Sequence, residues 1–386
     1  MRIALIDTTA KPVAYPVALL KIGAWRRAER DECRLFTNQL PEAGTVDEIW
    51  LSATFTFDIP HALGLVRAAR QRAPIVRVGG VAPSLLPAPF EKEGVLVHRG
   101  LLPEAELCAP DYRLLGHAPE YSISHTSRGC VRKCGFCMVH RLEPEFVDLP
   151  KWPADLSPAA KAVRFYDNNW LAKPLELIRR DADTLRELVR AGRLTTIDFN
   201  QGLDCRLITE EMADILRGLP IRPIRFAFDN MAEDGYYQAA VELMVSRGFT
   251  DFRSYVLFNF NDTPADFYYR LRESARLAEK LKARVESFPM RFQPILEVDQ
   301  QRTYTGRHWT ARGRAGFRTI LAHHVATGNI SCDSVAEFEY WYGRDAAEFE
   351  RLISYPKIRQ LCQKKKGNLR MQRATGLWKG KGKRSR

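Results

Sequence analysis

Three cysteines stand close together in the stretch SRGCVRKCGFCMVH, which runs from residue 127 to residue 140. Cys130, Cys134 and Cys137 are spaced C-x3-C-x2-C, and no fourth cysteine follows nearby. Cysteine thiolates are ligands for soft metal ions and for iron–sulfur clusters. The eight cysteines of the chain lack the even spacing of a disulfide framework, so this group predicts a metal centre.

Two kinds of metal centre are compatible with this spacing. A structural zinc ion takes four Cys or His ligands, and His140 would complete such a set, although zinc sites usually draw on two separated pairs. A four-iron–four-sulfur cluster usually takes four thiolates, so three cysteines leave one iron without a protein ligand. That iron has positions for a small chelating ligand, such as the amino and carboxylate groups of an amino acid.

The residues before the cysteines, from 1 to 100, alternate between strand and helix patterns. The strand patterns are RIALID, ECRLFTN, DEIWLSATFTF, IVRVGGVAPS and VLVHRG, and helix patterns follow the first and the third. This β-α-β-β-α-β order predicts an α/β fold that begins with a small doubly wound parallel sheet.

Strand patterns resume at Tyr121, and each of them ends in a cluster of polar residues. They are YSISHTS, AVRFYDNNW, TTIDFNQGLDCR, PIRFAFDNM, RSYVLFNFND and VESFPMRFQP, and the first five precede helical patterns or the cysteine loop. Six such strands predict a partial (βα)6 barrel of the TIM type, in which the C-terminal strand ends face one site. Residues 301–363 lose this rhythm and are typical of helices.

The cysteine loop resembles the signature of the radical S-adenosylmethionine (radical SAM) superfamily. The resemblance rests on the C-x3-C-x2-C spacing, on Phe136 before the last cysteine, and on the βα series that follows. PDYRLL ahead of SISHTSRGCVRKCGFC resembles the entry to members that carry an N-terminal cobalamin-type domain. RFYDNNW and SFPMRFQP resemble motifs of those members, and the resemblance covers roughly residues 110–300.

The resemblance implies a specific chemistry. Cys130, Cys134 and Cys137 would hold a 4Fe-4S cluster, and S-adenosylmethionine (SAM) would chelate the fourth iron. An electron from the cluster then cleaves SAM to a 5′-deoxyadenosyl radical, which abstracts a substrate hydrogen. The cofactor carries the radical chemistry, so no catalytic side chain is assigned beyond the cluster ligands. A reductant protein such as flavodoxin or ferredoxin would supply the electron.

The resemblance also implies residues that bind SAM. Phe136 would lie against the adenine, and Asp167 and Asn168 would accept from the amino group. Gln201 and Arg206 would contact the ribose and the carboxylate, because an arginine fork binds a carboxylate in two places. Two structural alternatives stay open: a turn or helix cap for the DNN sequence, and a surface salt bridge for the arginine.

Other polar residues are open to both functional and structural explanations. Asp229, Asn259 and Asn261 end later strands, where residues either line a substrate site or cap a turn. Arg128 and Lys133 flank the cysteines and would balance the charge of a cluster or simply face water. The remaining cysteines are scattered and do not form a second cluster motif.

The N-terminal domain lacks a motif that cobalamin-binding members often carry. After the first strand those members show D-x-H-x-x-G, whose His replaces the cofactor's own base on cobalt; here the sequence is DTTAKP, with Asp7 but neither His nor Gly. Ser52 and the Gly79–Gly80 pair fit the fold, and they fit any tight turn equally well. We therefore expect a cobalamin-binding-like domain, and we do not expect cobalamin in it.

The net charge of +13 is concentrated at the C-terminus. Residues 364–386 hold ten Lys or Arg residues and no acidic residue. Such a segment is either a disordered, solvated tail or an arm for a nucleic-acid backbone. No apolar run approaches the roughly 18 residues that span a bilayer. The apolar run at the N-terminus is too short for the core of a signal sequence, so we expect a cytoplasmic protein without membrane contact.

The sequence thus predicts four regions and one class of activity. The regions are a cobalamin-binding-like domain over residues 1–105, a radical SAM partial barrel over 106–300, a helical region over 301–363 and a basic tail over 364–386. The predicted activity is that of a radical SAM enzyme of unknown substrate, with the tail slightly favouring a nucleic acid or nucleotide. The alternatives are a radical SAM enzyme acting on a peptide or small metabolite, and a non-catalytic metal-binding protein that interacts with nucleic acid.

Overall fold

The chain forms two compact units. The computed structural model describes residues 1–11, 14–296 and 301–374, with side chains described as far as residue 369. Unit 1 comprises residues 1–168, 187–196 and 294–302, and unit 2 comprises residues 169–186, 197–293 and 303–386. The domain boundaries expected at 105 and 300 stay predictions.

Unit 1 begins with a five-stranded parallel sheet of order β2-β1-β3-β4-β5. Its strands are β1 (Arg2–Asp7), β2 (Glu32–Thr37), β3 (Glu48–Ser52), β4 (Ile75–Gly79) and β5 (Leu96–Val97). The helices that accompany it are α1 (Val17–Ala28), α2 (Ile59–Ala69), α3 (Val81–Leu85), α4 (Ala88–Glu91) and α5 (Pro103–Glu106). The strand order reverses between β1 and β3, and in such sheets ligands bind at the carboxyl ends beside this switch point.

The rest of unit 1 carries the cysteines. Its strands are β6 (Ser122–Ser124), β7 (Ser127–Arg128), β8 (Val147–Asp148) and β9 (Ala162–Phe165), and its helix is α6 (Val139–Leu142). Strand β6 pairs in parallel with β9, whereas β7 and β8 form a short antiparallel pair. The cysteine loop connects β7 to α6, so both of its ends are anchored in regular secondary structure.

Helix α7 (Leu175–Arg190) and strand β10 (Thr196–Phe199) come next along the chain. The remaining strands of unit 2 are β11 (Ile224–Ala227), β12 (Asp251–Phe258), β13 (Arg284–Arg291) and β14 (Ile330–Ser331). Its remaining helices are α8 (Glu210–Leu216), α9 (Tyr236–Ser246), α10 (Pro264–Leu281), α11 (Ala311–His324), α12 (Val335–Tyr342), α13 (Ala346–Ser354) and α14 (Ile358–Ala374). Strands β11, β12 and β13 pair in parallel, and β14 pairs antiparallel with β13.

Local signals explain several element boundaries. Helix α10 begins with a capping box, in which Thr263 accepts from the backbone N–H of Asp266 and the Asp266 side chain accepts from that of Thr263. The C-terminal helices form one aromatic core with α10 and β12, built around residues such as Phe267, Phe317 and Phe349. Burial of these aromatic side chains stabilises the packing of the C-terminal helices against α10 and β12.

The predicted α/β fold is confirmed, with every predicted strand present and helices dominating the described residues after 301. The structure adds the two-residue strands β8 and β14, which are too short to leave a period in the sequence. The predicted tail boundary at 364 falls inside α14, which continues to Ala374, and residues 375–386 lie outside the described part. No helix among the described residues is long and apolar enough to cross a membrane.

Candidate metal centre and the adjoining cavity

The cysteine loop is held by its first glycine. Gly129 has a φ of +78°, and a Cβ at this position would lie 2.1 Å from the carbonyl oxygen of Glu145. Only glycine therefore lets the chain pass Glu145 so closely. Within the loop the Cys137 N–H donates to the Cys134 carbonyl at 3.0 Å, and all three cysteines are partly buried.

The carboxylate of Glu143 ties both ends of this loop together. One oxygen accepts from the backbone N–H of Gly129 at 2.7 Å and from the side-chain amide of Asn168 at 2.8 Å. The other oxygen pairs with Arg128 at 3.1 Å, and the same guanidinium reaches Glu106 at 2.8 Å. Arg128 thus balances two carboxylates in the structure.

The predicted SAM ligands of unit 1 are placed beside the loop. Asp167 is buried and accepts from the N–H and hydroxyl of Thr126 and from the hydroxyl of Ser127. Asn168 donates to Glu143, as described above, and Phe136 is half-buried within the loop. These contacts fix the chain before the cysteines; the assignment of these residues to SAM stays a prediction.

The donor set fits an iron–sulfur cluster, because three thiols stand on one partly buried loop and thiolates are the ligands of such clusters. No three Cys, His, Asp or Glu side chains converge on a single metal-ion position anywhere in the described residues. The Nδ1 atom of His140 is buried without a hydrogen-bond partner in the described part of the chain. The zinc alternative therefore keeps its candidate fourth ligand.

A cavity of about 230 Å³ adjoins this loop within unit 1. One wall is apolar and comes from α1, β3 and the residues after β5; it includes Val17, Ala18, Ile22, Leu51, Leu101 and Leu102. The strand ends add Ser52, Gly79 and Gly80, at the edge where doubly wound sheets bind ligands. The cavity also has a group of charged and polar residues, called its polar side here: Lys21, Glu106, His125, Arg128 and Glu143.

Buried charges shape the polar side of the cavity. Lys21 is 5% exposed, and its ammonium lies 3.8 Å from both Glu106 and Asp155. Burial raises the pKa of the Asp155 carboxyl, and Lys21 opposes that rise. Burial, together with the positive charges of Arg128 and Lys21, holds the pKa of the His125 imidazole well below its usual range. His125 is therefore neutral at physiological pH.

The glycine pair at the cavity has a structural explanation for its second member. Gly80 has a φ of +105°, and a Cβ there would lie 2.6 Å from the Ala53 carbonyl oxygen. The tight-turn alternative thus accounts for Gly80, whereas a Cβ on Gly79 would meet only ordinary contacts at 3.7 Å.

The predicted SAM ligands of unit 2 have neighbours of their own. Gln201 is exposed after β10. The Arg206 fork binds Asp204 at 2.7 and 3.1 Å, and it lies 3.6 Å from Glu233. This arrangement is the salt bridge of the structural alternative, so contact with a SAM carboxylate stays a prediction that needs this pair to rearrange.

A carboxylate pair follows β11 in unit 2. Burial, reinforced by the negative charge of Glu233, raises the pKa of Asp229 to about 7. Asp229 accepts from the Leu257 N–H at 3.0 Å, and Glu233 accepts from the Asp229 N–H at 2.6 Å. Asn259 instead is a turn residue, with a φ of +68° and an amide that donates to two backbone carbonyls.

Apart from Arg128, sequence reasoning missed the residues of the cavity's polar side. His125 lies in SISHTS, where only a strand was predicted, and a histidine directly before the TSRGC sequence was the available signal. Lys21 and Glu106 carry no local signal, because their role depends on contacts between distant stretches.

No protein-family model and no curated protein matches the chain. Among solved structures, it is similar to the radical S-adenosylmethionine methyltransferase TsrM from Kitasatospora setae with cobalamin and a 4Fe-4S cluster bound. The TM-score is 0.57 at 14% identity, covering 92% of this chain and 86% of that chain. TsrM with tryptophan substrate and the SAM analogue aza-SAM bound gives a TM-score of 0.56 at 13% identity, covering 91% and 83%.

This likeness shows the fold alone: the chain shares the fold of the radical SAM methyltransferase TsrM, in agreement with the resemblance of its motifs. The neighbour of that fold is an enzyme, TsrM. The expectation against cobalamin is contradicted, because a structure of the same fold holds cobalamin. That expectation rested on the missing D-x-H-x-x-G motif, but the cavity beside β3 and β4 exists without it.

The Gly129→Ala variant should lose most of its iron after anaerobic reconstitution with iron and sulfide. Its Cβ would collide with the Glu145 carbonyl and displace the start of the cysteine loop. Gly116→Ala is the matched control, since Gly116 has a φ of +75° but open space around it. Both variants bear the cost of about 1–2 kcal/mol for a left-handed alanine. Equal iron content per chain in both would contradict this role of Gly129.

The Asp229→Asn variant should change how stability depends on pH. The folded-state pKa of about 7 exceeds the ordinary 3.8, so the folded protein keeps a proton that the unfolded chain releases. That stability is fully present below pH 3.8 and is lost as pH rises through 7. The urea midpoint of Asp229→Asn should therefore gain on the wild type from pH 4.5 to about 7.5. Asp214→Asn is the control: Arg247 lowers the pKa of Asp214, so this variant should show no such gain. If the urea midpoints of Asp229→Asn and wild type change with pH in parallel, the raised pKa of Asp229 is refuted.

Proposed function

We propose that this chain is a radical SAM enzyme that binds a 4Fe-4S cluster at Cys130, Cys134 and Cys137 and a cobalamin in the cavity of unit 1. The observation that carries the proposal is the shared boundary of cavity and loop. Arg128 and Glu143, which hold the cysteine loop, also line the cavity. A cofactor in this cavity would therefore lie beside the cluster.

The residues of the loop would have distinct tasks. The three cysteines would bind iron. Gly129 and Glu143 would fix the start of the loop, Gly129 by its close approach to Glu145 and Glu143 by accepting from the Gly129 N–H. The bound cluster would supply the electron that cleaves SAM. Arg128 would offset part of the cluster's negative charge while remaining paired with two carboxylates.

The cavity of about 230 Å³ is lined by both apolar and polar residues, and it would enclose only part of an amphipathic cofactor as large as cobalamin. Its apolar wall offers a site for an aromatic base, and its polar side offers partners for amide side chains. A bound cobalamin would supply a cobalt centre able to carry a methyl group, and TsrM, whose fold this chain shares, is a methyltransferase. We therefore propose methyl transfer as the reaction, with hydrogen abstraction by the 5′-deoxyadenosyl radical as the second candidate.

The Cys130→Ala variant should abolish SAM cleavage. Protein reconstituted anaerobically with iron and sulfide, then given dithionite, SAM and cobalamin, should release 5′-deoxyadenosine or S-adenosylhomocysteine, and the product ratio separates the two reactions. Cys108→Ala, another partly buried cysteine outside the loop, is the control and should behave as wild type. Unchanged cleavage by Cys130→Ala, or zinc in place of iron in the anaerobically purified protein, would refute the proposal.

The basic C-terminus supports a nucleic-acid or nucleotide substrate, and the structure decides how to test it. Deletion from residue 364 would remove buried Leu369 and the hydrogen bonds between Lys365 and Tyr340. Truncation after Ala374 instead removes five Lys or Arg residues, and Lys364→Ser with Lys366→Ser removes two more charges from exposed positions.

This charge-reduced protein should bind tRNA more weakly and with a smaller salt dependence. The slope of log affinity against log salt should fall by about 0.9 for each phosphate that the protein no longer neutralises. Lys92→Ser with Lys151→Ser removes two exposed charges from unit 1 and is the control. Equal retention of both proteins on tRNA and heparin would favour the peptide or small-metabolite alternative.

A further inference from the structure

Two stretches of unit 2 contain basic residues and no acidic residue. They are residues 303–332, which include helix α11, and residues 351–386, which include helix α14. The two helices pack against one another. Two acid-free stretches that are separated in the sequence are therefore neighbours in the folded unit.

The arginines of α11 lie on the side of the helix that faces away from the protein core. Phe317 and Ile320 are buried in the aromatic core that α11 shares with α10 and β12. Arg312 and Arg318 are exposed. The packing of α11 thus leaves these two guanidinium groups at the surface.

Helix α14 presents lysine and arginine side chains in the same way. Arg359 and Lys366 are exposed and seven residues apart, which is about two helical turns, so they project from the same side of the helix. Lys364 is also exposed. The helix is held in place by Lys365, which donates to the carbonyl of Tyr340 and accepts from its hydroxyl through the backbone oxygen.

The exposed charges of these two helices are not compensated by acidic partners. We call the following residues the basic surface: Arg312, Arg318, Arg359, Lys364 and Lys366. None of them forms an ion pair within the part of the chain that the structure describes. Elsewhere in unit 2, Lys280 pairs with Glu242 at 2.8 Å and Arg344 with Glu348 at 3.1 Å, although both basic residues are exposed. A polyanion would offset the repulsion that the basic surface leaves uncompensated.

The surroundings of the basic surface offer little apolar area. Among the large hydrophobic side chains of residues 303–369, Tyr355 is the one that is exposed. Protein interfaces are built around a more apolar centre, and helices that lie on membranes bury an apolar face. Proteins that bind single-stranded nucleic acid stack its bases on aromatic side chains. Exposed charge without these features instead matches the phosphates on the outside of a double helix.

We propose that the basic surface of α11 and α14 binds the phosphate backbone of a double-helical nucleic acid. The inference rests on the nucleic-acid substrate of the proposed function, and it assigns binding to two folded helices in addition to the tail. Contacts to phosphates carry no direct sequence information. Binding at this surface should therefore depend strongly on salt and little on sequence.

The test compares two double variants of the full chain that have the same net charge. Arg312→Ser with Arg318→Ser leaves the tail intact, and its affinity for tRNA should fall roughly fivefold or more, because two phosphate contacts are lost. The slope of log affinity against log salt should fall by up to about 1.8, which is 0.9 for each phosphate. Lys280→Ser with Arg344→Ser removes two charges that are already paired and should leave affinity and slope unchanged.

Three further measurements identify what the surface recognises. Arg312→Lys with Arg318→Lys keeps the charge and should bind tRNA as wild type does. The loss caused by the serine changes should be larger for a short RNA duplex than for polyuridine with the same number of nucleotides. Far-ultraviolet circular dichroism and the urea midpoint of each variant should match those of wild type, because the substituted side chains are exposed.

Several outcomes would overturn the inference. Equal loss of tRNA affinity in the two serine variants would mean that net charge alone matters. A loss for polyuridine as large as that for the duplex, or a larger loss for phosphatidylserine vesicles than for tRNA, would assign the surface to another partner. If the truncated, charge-reduced protein binds tRNA more weakly but Arg312→Ser with Arg318→Ser does not, this inference fails and the nucleic-acid substrate stands. If wild type binds neither tRNA nor the duplex, both fail, and SAM cleavage is still judged by the Cys130→Ala experiment.

Discussion

The partly buried ion pair between Arg128 and Glu143 is the interaction on which the site depends. It joins the strand before the cysteines to the residue after helix α6, so both ends of the loop are held by one contact. Glu143 also accepts from the backbone N–H of Gly129, so losing its carboxylate would release the start of the loop that carries the three thiols.

The same pair connects two kinds of chemistry. Through Glu106 and Lys21 its charges continue to helices α5 and α1 of the N-terminal sheet, and all four residues line the cavity. A group bound there would lie in the electrostatic field of Arg128, Glu143 and Glu106, the charges that also position the cysteine loop. Helix α1, the strand ends and the residues after β5 supply the apolar wall, whereas the polar residues come from α1, α5, the segment after β6 and the two ends of the cysteine loop.

The cobalamin expectation failed for a physical reason. A missing histidine after β1 removes one way of coordinating cobalt, but it does not fill the space between α1, β3 and β4. A cavity arises from packing, and a different histidine lies on its wall. The absence of one ligand from a sequence motif therefore says little about a cavity that many other residues enclose.

The sequence by itself determined the strands, most helices and the three cysteines, because these depend on spacing along a few residues. Apolar periodicity predicts a strand locally, and C-x3-C-x2-C places three thiols on one short loop. Only the tertiary structure decided the rest. Asp167 contacts Thr126, which lies 41 positions earlier in the chain. Lys21 precedes the second to fifth strands of the N-terminal sheet, and its partner Asp155 follows them. Such partners are chosen by packing and by the need to neutralise buried charge, and no local pattern records that choice.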